Sequence, residues 1–363
     1  MNPARTLFVL TCLHLVGIAD VLGAAEPAAT ELDLGAMLVP SAKTAAFRDP
    51  EFNIWCGSMV AGDDGKYHLF YSRWPRSSGH QAWVTKSEVA HAIADQPTGP
   101  YRHADVTLPA RGKEFWDGDC THNPTVIRAN GKYYLYYMGN FGDGSFWDHR
   151  NHQRIGVAVA DRPEGPWQRS STPLIDVSAD AGAADALMVS NPSVTQRPDG
   201  GFLMVYKGVA KKGKPPFGGP VCHLVALSDQ PTGPFVKQPK EIFGKEGVTF
   251  AAEDPYIWRN PGDDRYRAVV KDNEGNFTHQ GYSLALFESF DGLDWKLAAK
   301  PLVTTPRVNW ADGTSERLAA LERPQLFFSA GKPAVLFCAA ADRKDRDGSF
   351  NLALPLQLPP AGK

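Results

Sequence analysis

The sequence predicts an all-β chain, a five-bladed β-propeller with four-stranded blades. Two interleaved phrases that recur at intervals of 63 to 69 residues predict it. A composition of 34 Gly, 29 Pro and 11% aromatics, rich in turn formers and flat faces, agrees with them.

The first phrase runs from small or polar residues, often with Pro, through an apolar strand and a Gly turn to an aromatic strand. Copies start at Gly57, His122, Ser190, Glu253 and Glu322, in steps of 65, 68, 63 and 69 residues. Asp64-Gly65, Asn130-Gly131 and Asp199-Gly200 supply its turns, because these residue types accept the positive φ of a tight hairpin. The second phrase is Asp-x-Pro-x-Gly-Pro followed by an aromatic. It ends at Tyr101, Trp167 and Phe235, and a degenerate copy runs from Ser289 to Trp295. Alternating apolar runs precede it, such as Ile155–Val159 and His223–Leu227. Each repeat therefore supplies a hairpin, a third strand, a corner and a fourth strand such as Tyr101–Thr107. The ring must close, because an open blade leaves a bare strand edge. Residues Glu31–Leu38 are expected to close it beside Phe350–Leu354, with helix content near nil.

Residues 1–25 have the pattern of an export leader. Arg5 is the basic start, Leu7–Ile18 is largely apolar, and Gly23-Ala24-Ala25 offers small residues for cleavage before Glu26. The expected product is a secreted or periplasmic protein with one domain over residues 26–363. No later apolar run is long enough to span a bilayer, so no membrane insertion is expected. The formal net charge is -2, without a basic run, which argues against a nucleic-acid partner. Beyond the leader lie Cys56, Cys120, Cys222 and Cys338, without CxxC spacing; disulfides and buried thiols both remain open. No P-loop, nucleophile elbow or HExxH is present.

A propeller gathers the starts of its innermost strands at one mouth of the channel. Here those starts carry Cys56-Gly57-Ser58, Thr121-His122-Asn123, Ser190-Asn191, Glu253-Asp254 and Glu322-Arg323. Such a set suits a hydroxyl-rich ligand, since carboxylates accept from hydroxyls and Arg donates in a fork. Glu253, Asp254 and Glu322 form the expected acidic set, and Asp119 joins it from the loop Glu114–Asn123. Strand alternation predicts that only one of Glu253 and Asp254 faces the channel. His122, Asn123, Asn191, Arg323, Lys207 and Asp49 are expected to contact ligand, as is Lys271. Trp55, Trp116 and Trp74 are expected to stack on it, and Trp147–His152 to line the rim.

The phrases Gly65-Lys-Tyr-His-Leu-Phe-Tyr71 and Gly131-Lys-Tyr-Tyr-Leu-Tyr-Tyr137, with the Gly-Pro-aromatic corners, resemble the five-bladed glycoside hydrolase superfamily. The resemblance is to family 43 and its relatives, families 32, 62, 117 and 130. It implies cleavage of glycosidic bonds by an Asp base in blade one, a tuning Asp in blade three and a Glu acid in blade four. Glu253 matches the acid. Asn191 stands at the blade-three position, and Gly57-Ser58 at the blade-one position, with Asp49 about eight residues early. Glu253-Asp254-Pro255 also resembles a family 130 phosphorylase motif, with Tyr256 in place of its Arg.

The resulting expectation is a secreted, exo-acting glycoside hydrolase on a plant or algal oligosaccharide or polysaccharide. Its alternatives are a glycan-binding propeller without catalysis and a propeller lyase or phosphorylase. No cofactor is assigned; a structural divalent cation in the channel is left open, with its ligands unknown.

Overall fold

The computed structural model describes Met1, residues 31–260 and residues 262–358. The expected leader lies outside the described residues. From Glu31 onward five four-stranded antiparallel sheets form the blades of a propeller. Blade one holds Phe52–Ala61, Tyr67–Pro75, Glu88–Ala94 and Arg102–Leu108. Blade two holds Cys120–Ala129, Lys132–Asn140, Arg154–Ala160 and Gln168–Arg169. Blade three holds Met188–Gln196, Phe202–Val209, Val221–Ser228 and Val236–Ile242. Blade four holds Ala252–Asn260, Arg265–Asp272, Ser283–Ser289 and Lys296–Thr304. Blade five combines Ala320–Ser329, Lys332–Ala341 and Phe350–Pro355 with Ala46–Phe47 from the start of the described chain.

Each seam between neighbouring blades holds its own hydrophobic core. Between blades two and three, for example, Tyr136 and Ile155 pack with Phe202 and Met204. Alternation supplies these cores: the first three strands of each blade bury both faces, one against each neighbour, while outer strands such as Arg102–Leu108 stay largely exposed.

The strand that closes the ring is Ala46–Phe47, not Glu31–Leu38. Ala46 pairs with Leu352 and Phe47 with Asn351. Phe47 also packs edge-on against Tyr71, with ring centroids 5.0 Å apart. The earlier segment departs from a strand because Asp33 caps a helical turn, accepting from Ala36 N at 2.9 Å. The turn, Leu34–Met37, buries Leu34 and Met37 in the core between blades four and five. Closure also explains why the Asp-x-Pro-x-Gly-Pro corner is missing from the fifth repeat: its fourth strand arrives from the other end of the chain. The other helices, Trp83–Lys86 and Phe146–Asn151, are short and both lie in connections between second and third strands.

The first strands are mutual neighbours around the axis. Each carries a bulge at the same place, where the pairing register shifts. At each bulge one non-glycine residue has positive φ: Cys56, Asn123, Asn191, Asp254 and Arg323, with φ between 54° and 58°. Asn and Asp tolerate that conformation best. The next residue is Pro124, Pro192, Pro255 or Pro324 in four blades, where a bulge leaves no ladder bond for the missing N–H to break. Blade one uses Gly57 instead, because a Cβ there would lie 2.8 Å from Asn351 Nδ2.

The five bulge side chains meet on the axis. The Cys56 thiol donates to Asn123 Oδ1 at 2.8 Å, Asn123 Nδ2 to Asn191 Oδ1 at 2.5 Å, and Asn191 Nδ2 to Asp254 Oδ1 at 2.7 Å. Arg323 Nη1 donates to Asp254 Oδ1 at 3.1 Å, and its guanidinium lies beside Cys56 to complete the circle. All four cysteines of residues 31–358 are free, buried thiols. Burial pushes each thiol well up, so none is poised as a nucleophile.

Asn191 tests the ring and the bulge separately. Asn191→Gly and Asn191→Ala both delete its hydrogen bonds, but only Ala adds left-handed backbone strain, about 1–2 kcal/mol. The Ala variant should unfold at the lower urea concentration. Equal midpoints would show that the backbone conformation carries no cost there.

Candidate functional site

The bulges change which side chains reach the channel. In a regular strand Glu253 and Asp254 would point to opposite faces. Here both line the axial cavity, as do His122 with Asn123 and Glu322 with Arg323. The alternation expected for Glu253 and Asp254 is thus corrected: the left-handed residue turns its side chain inward beside its predecessor.

The axial cavity has a volume of ≈ 210 Å³. One half of its wall is aromatic. Trp55 and Trp74 each meet His80 edge-on at 5.3 Å, and Trp83 lies 5.0 Å from His122. His122 shares a hydrogen bond with Ser87 Oγ at 2.7 Å, and burial and the nearby Arg323 keep it neutral. Burial and Arg346 bring His80 down to about 4.

The other half is charged. Glu253 accepts from Lys207 at 2.8 Å and Lys271 at 3.2 Å. Lys271 also donates to Glu322 at 2.9 Å, and Arg346 to Glu322 at 2.5 Å. Pairing places the lysines there, since Ser190 faces Lys207 and Glu253 faces Lys271 across their hairpins. Burial alone would raise the Glu253 carboxyl, yet the two ammonium groups hold it well below the usual carboxylate range. Asp254 moves the opposite way: burial and the Glu253 charge raise it, against the pull of Arg323. Arg323 Nε and Nη2 are buried without a hydrogen-bond partner among the described residues.

A second cavity, ≈ 520 Å³, opens between blades four and five past Tyr282, Asn273 and Leu321. Glu253, Glu322 and Arg346 line both cavities and stand at their junction.

Solved structures share this architecture. Zg3597, a family 117 glycoside hydrolase of the marine bacterium Zobellia galactanivorans, superposes with a TM-score of 0.58 over 88% of each chain at 17% identity. A thermostable family-43 glycoside hydrolase gives 0.57 over 86% of this chain and 96% of its own, at 15% identity. The fold is that of the five-bladed glycoside hydrolases. No family model matches the sequence. Two curated relatives match over 67 residues, 18% of this chain: a beta-xylosidase of Xylanibacter ruminicola at 37% identity and xylosidase/arabinosidase 43A of Humicola insolens at 36%. The match spans 17% and 16% of their lengths.

Ten residues expected at the site line the axial cavity: Glu253, Asp254, Glu322, His122, Asn123, Asn191, Arg323, Trp55, Trp74 and Lys207. Three do not. Asp119 accepts from Gly142 N at 3.0 Å and anchors a loop. Trp116 stacks on Tyr137, 5.6 Å away, in the seam between blades one and two. Asp49 accepts from the Glu51 and Phe52 amides at 2.8 and 3.0 Å and makes a turn. Each is the local role such a residue plays in a tight loop or a blade seam.

His80, Trp83 and Arg346 were not expected from the sequence. A hairpin returns its second strand to the mouth where the first began, so connections between second and third strands also belong there. That topology is the signal that finds them. The rim expected from Trp147–His152 lies largely on the helix Phe146–Asn151, with Trp147 38% exposed and 6.0 Å from Phe217 across the next blade's loop.

Among the described residues, one group of three side chains is placed to hold a metal ion: Asp64, His68 and Glu164. Asp64 sits in the hairpin turn of blade one, at the far end of the blade from the channel mouth. The channel cation left open above has no such group among the described residues.

Lys271→Met tests the charge pairing. It leaves Glu253 and Glu322 without their shared cation, and removing one partner of a buried ion pair costs about 3–5 kcal/mol. Glu253 is depressed in the folded protein, so its contribution is present above its unfolded pKa and lost as pH falls. Urea midpoints of wild type and variant should therefore differ by a constant gap from pH 7 down to about pH 5, and the gap should narrow only below about pH 4, as Glu253 takes up its proton. A gap independent of pH would refute the electrostatic account.

Proposed function

We propose that this protein is a glycoside hydrolase that removes a terminal sugar unit from an oligosaccharide. The observation that carries this reading is the Glu253–Asp254 pair. Two adjacent carboxyl groups face one cavity and are pushed apart in proton affinity, the arrangement that acid–base catalysis needs. Asp254 is the proton donor in this reading. Glu253, ionised beside its lysines, accepts the proton of the attacking water. Glu322, held by Lys271 and Arg346, orients substrate hydroxyls at the junction of the cavities.

The shape supports exo action. The axial cavity ends on the side-chain ring, so a chain cannot pass through it, whereas the larger cavity has room for the departing part. Trp55 and Trp83 offer apolar surface to sugar C–H groups, and the charged groups of the opposite wall suit hydroxyls. The xylosidase and arabinosidase names of the curated relatives support a glycan that carries such sugars, and a plant or algal source is part of the proposal. Export is part of the proposal, since such polymers are met outside the cytoplasm. No helix among the described residues is long and apolar enough to cross a membrane.

The ion pairs that occupy Glu253 and Glu322 favour one second reading, a propeller that binds a glycan without cleaving it. Product chromatography on a panel of plant and algal oligosaccharides decides between the two. Wild type should release monosaccharide, and Asp254→Asn and Glu253→Gln should each lose roughly 10²–10⁴-fold in turnover. The wild-type rate should fall on the alkaline side as Asp254 gives up its proton, and on the acid side only once Glu253 is protonated. Binding without turnover by wild type would establish the second reading. Full turnover in both variants would place the chemistry elsewhere.

A further inference from the structure

The seam between blades one and two carries a cluster that the channel chemistry does not use. His68, fully buried on the second strand of blade one, places Nε2 3.1 Å from Asp64 Oδ1 and 3.8 Å from Glu164 Oε1. Glu164 belongs to the Asp-x-Pro-x-Gly-Pro corner of blade two, so the cluster spans the seam. Behind it, His68 Nδ1 lies 2.9 Å from His91 Nε2, and His91 Nδ1 lies 3.1 Å from Asp105 Oδ2. The row is Asp64, His68, His91, Asp105.

The row is one proton short. Its three contacts each need a proton between two electron-pair donors, and two neutral imidazoles bring only two N–H groups. If His91 donates to Asp105 and His68 donates to His91, the lone pair of His68 Nε2 points at two carboxylates. Three electron-pair donors then converge with nothing between them. A cation fills that position: a third proton or a metal ion.

The space fits the metal. Tetrahedral zinc with bonds of about 2.0–2.2 Å sets its ligand atoms about 3.3–3.6 Å apart. The observed 3.1 and 3.8 Å straddle that edge, and the ligand atoms of all three residues lie within 4.8 Å of one another. Gly62 leaves the approach open, since a Cβ there would stand 2.4 Å from Asp64 Oδ1 and 2.5 Å from His68 Nε2. The His68–His91–Asp105 row would serve as the outer shell that fixes the tautomer of a metal-bound imidazole. One imidazole with two carboxylates suits zinc better than calcium or magnesium, which take oxygen ligands.

We infer that Asp64, His68 and Glu164 bind Zn²⁺, with solvent at the fourth position, and that the ion fastens the blade-one hairpin to the blade-two corner. The site is structural and independent of the proposed hydrolase activity. The test uses the full chain, stripped with chelator and dialysed, then titrated calorimetrically with zinc chloride alone. One ion should bind per chain and raise the melting temperature, while magnesium chloride should do neither. Asp64→Asn and Glu164→Gln change partly exposed side chains and should fold normally. Each should weaken zinc binding roughly tenfold or more. Zinc binding by the Asp64→Asn, Glu164→Gln double variant at wild-type affinity would overturn the inference. So would a metal-free wild type, unresponsive to zinc, in which nitrogen NMR finds both nitrogens of His68 protonated.

Discussion

The ring of side chains on the axis is the constraint on which the rest of this structure depends. Each blade contributes one residue from the same left-handed bulge, and the five form a continuous circle of contacts through Asp254 and Arg323. Asp254 and Arg323 are the carboxyl and guanidinium members of that circle, and they are neighbours. Cys56, Asn123 and Asn191 relay hydrogen bonds around the remainder without adding buried charge, which would need its own partner. The ring therefore fixes five sheets against one another and closes the channel at little electrostatic cost.

The same bulges create the cavity above the ring. A bulge places two residues opposite one on the partner strand, so in blades two, four and five two consecutive side chains line the cavity. Glu253 and Asp254 become neighbours in one pocket only because of it. Their divergence follows from what each touches. Glu253 lies between two ammonium groups from the ends of second strands, while Asp254 is drawn into the ring and feels the Glu253 charge. The architecture that holds the blades together thus also sets the proton affinities.

Much of this was legible in the sequence. Five copies of a strand–turn–strand phrase specify five blades, and their first residues specify the mouth. The Pro after Asn123, Asn191, Asp254 and Arg323 marked the bulges, but alternation rules read through those positions as regular strand, so the joint exposure of Glu253 and Asp254 was not foreseen. Asp119, Trp116 and Asp49 show the opposite limit: their residue types suit a sugar site, but backbone amides and a blade core claim them first. The closing strand is Ala46–Phe47 rather than Glu31–Leu38 because a capping Asp and two buried apolar residues favour a helical turn in the earlier segment. His80, Trp83 and Arg346 sit in connections with no repeat signature, and only topology brings them to the mouth.

The symmetric backbone then explains the asymmetric pocket. The residue just before the left-handed position is Trp55, His122, Ser190, Glu253 and Glu322 in blades one to five. Its partner on the second strand is Ser72, Met138, Lys207, Lys271 and Ala339. Read around the ring, the first set passes from aromatic through small to acidic. The second set supplies cations only in blades three and four. Ser190 is small where Lys207 must cross towards Glu253, and Ala339 is small where Glu322 is reached instead by Lys271 and by Arg346 from a loop. Aromatic surface and charge therefore occupy opposite sides of one cavity, as the proposed sugar ligand, with its C–H faces and hydroxyl edges, requires. Five equivalent backbone slots provide the frame, and the departures from equivalence carry the chemistry.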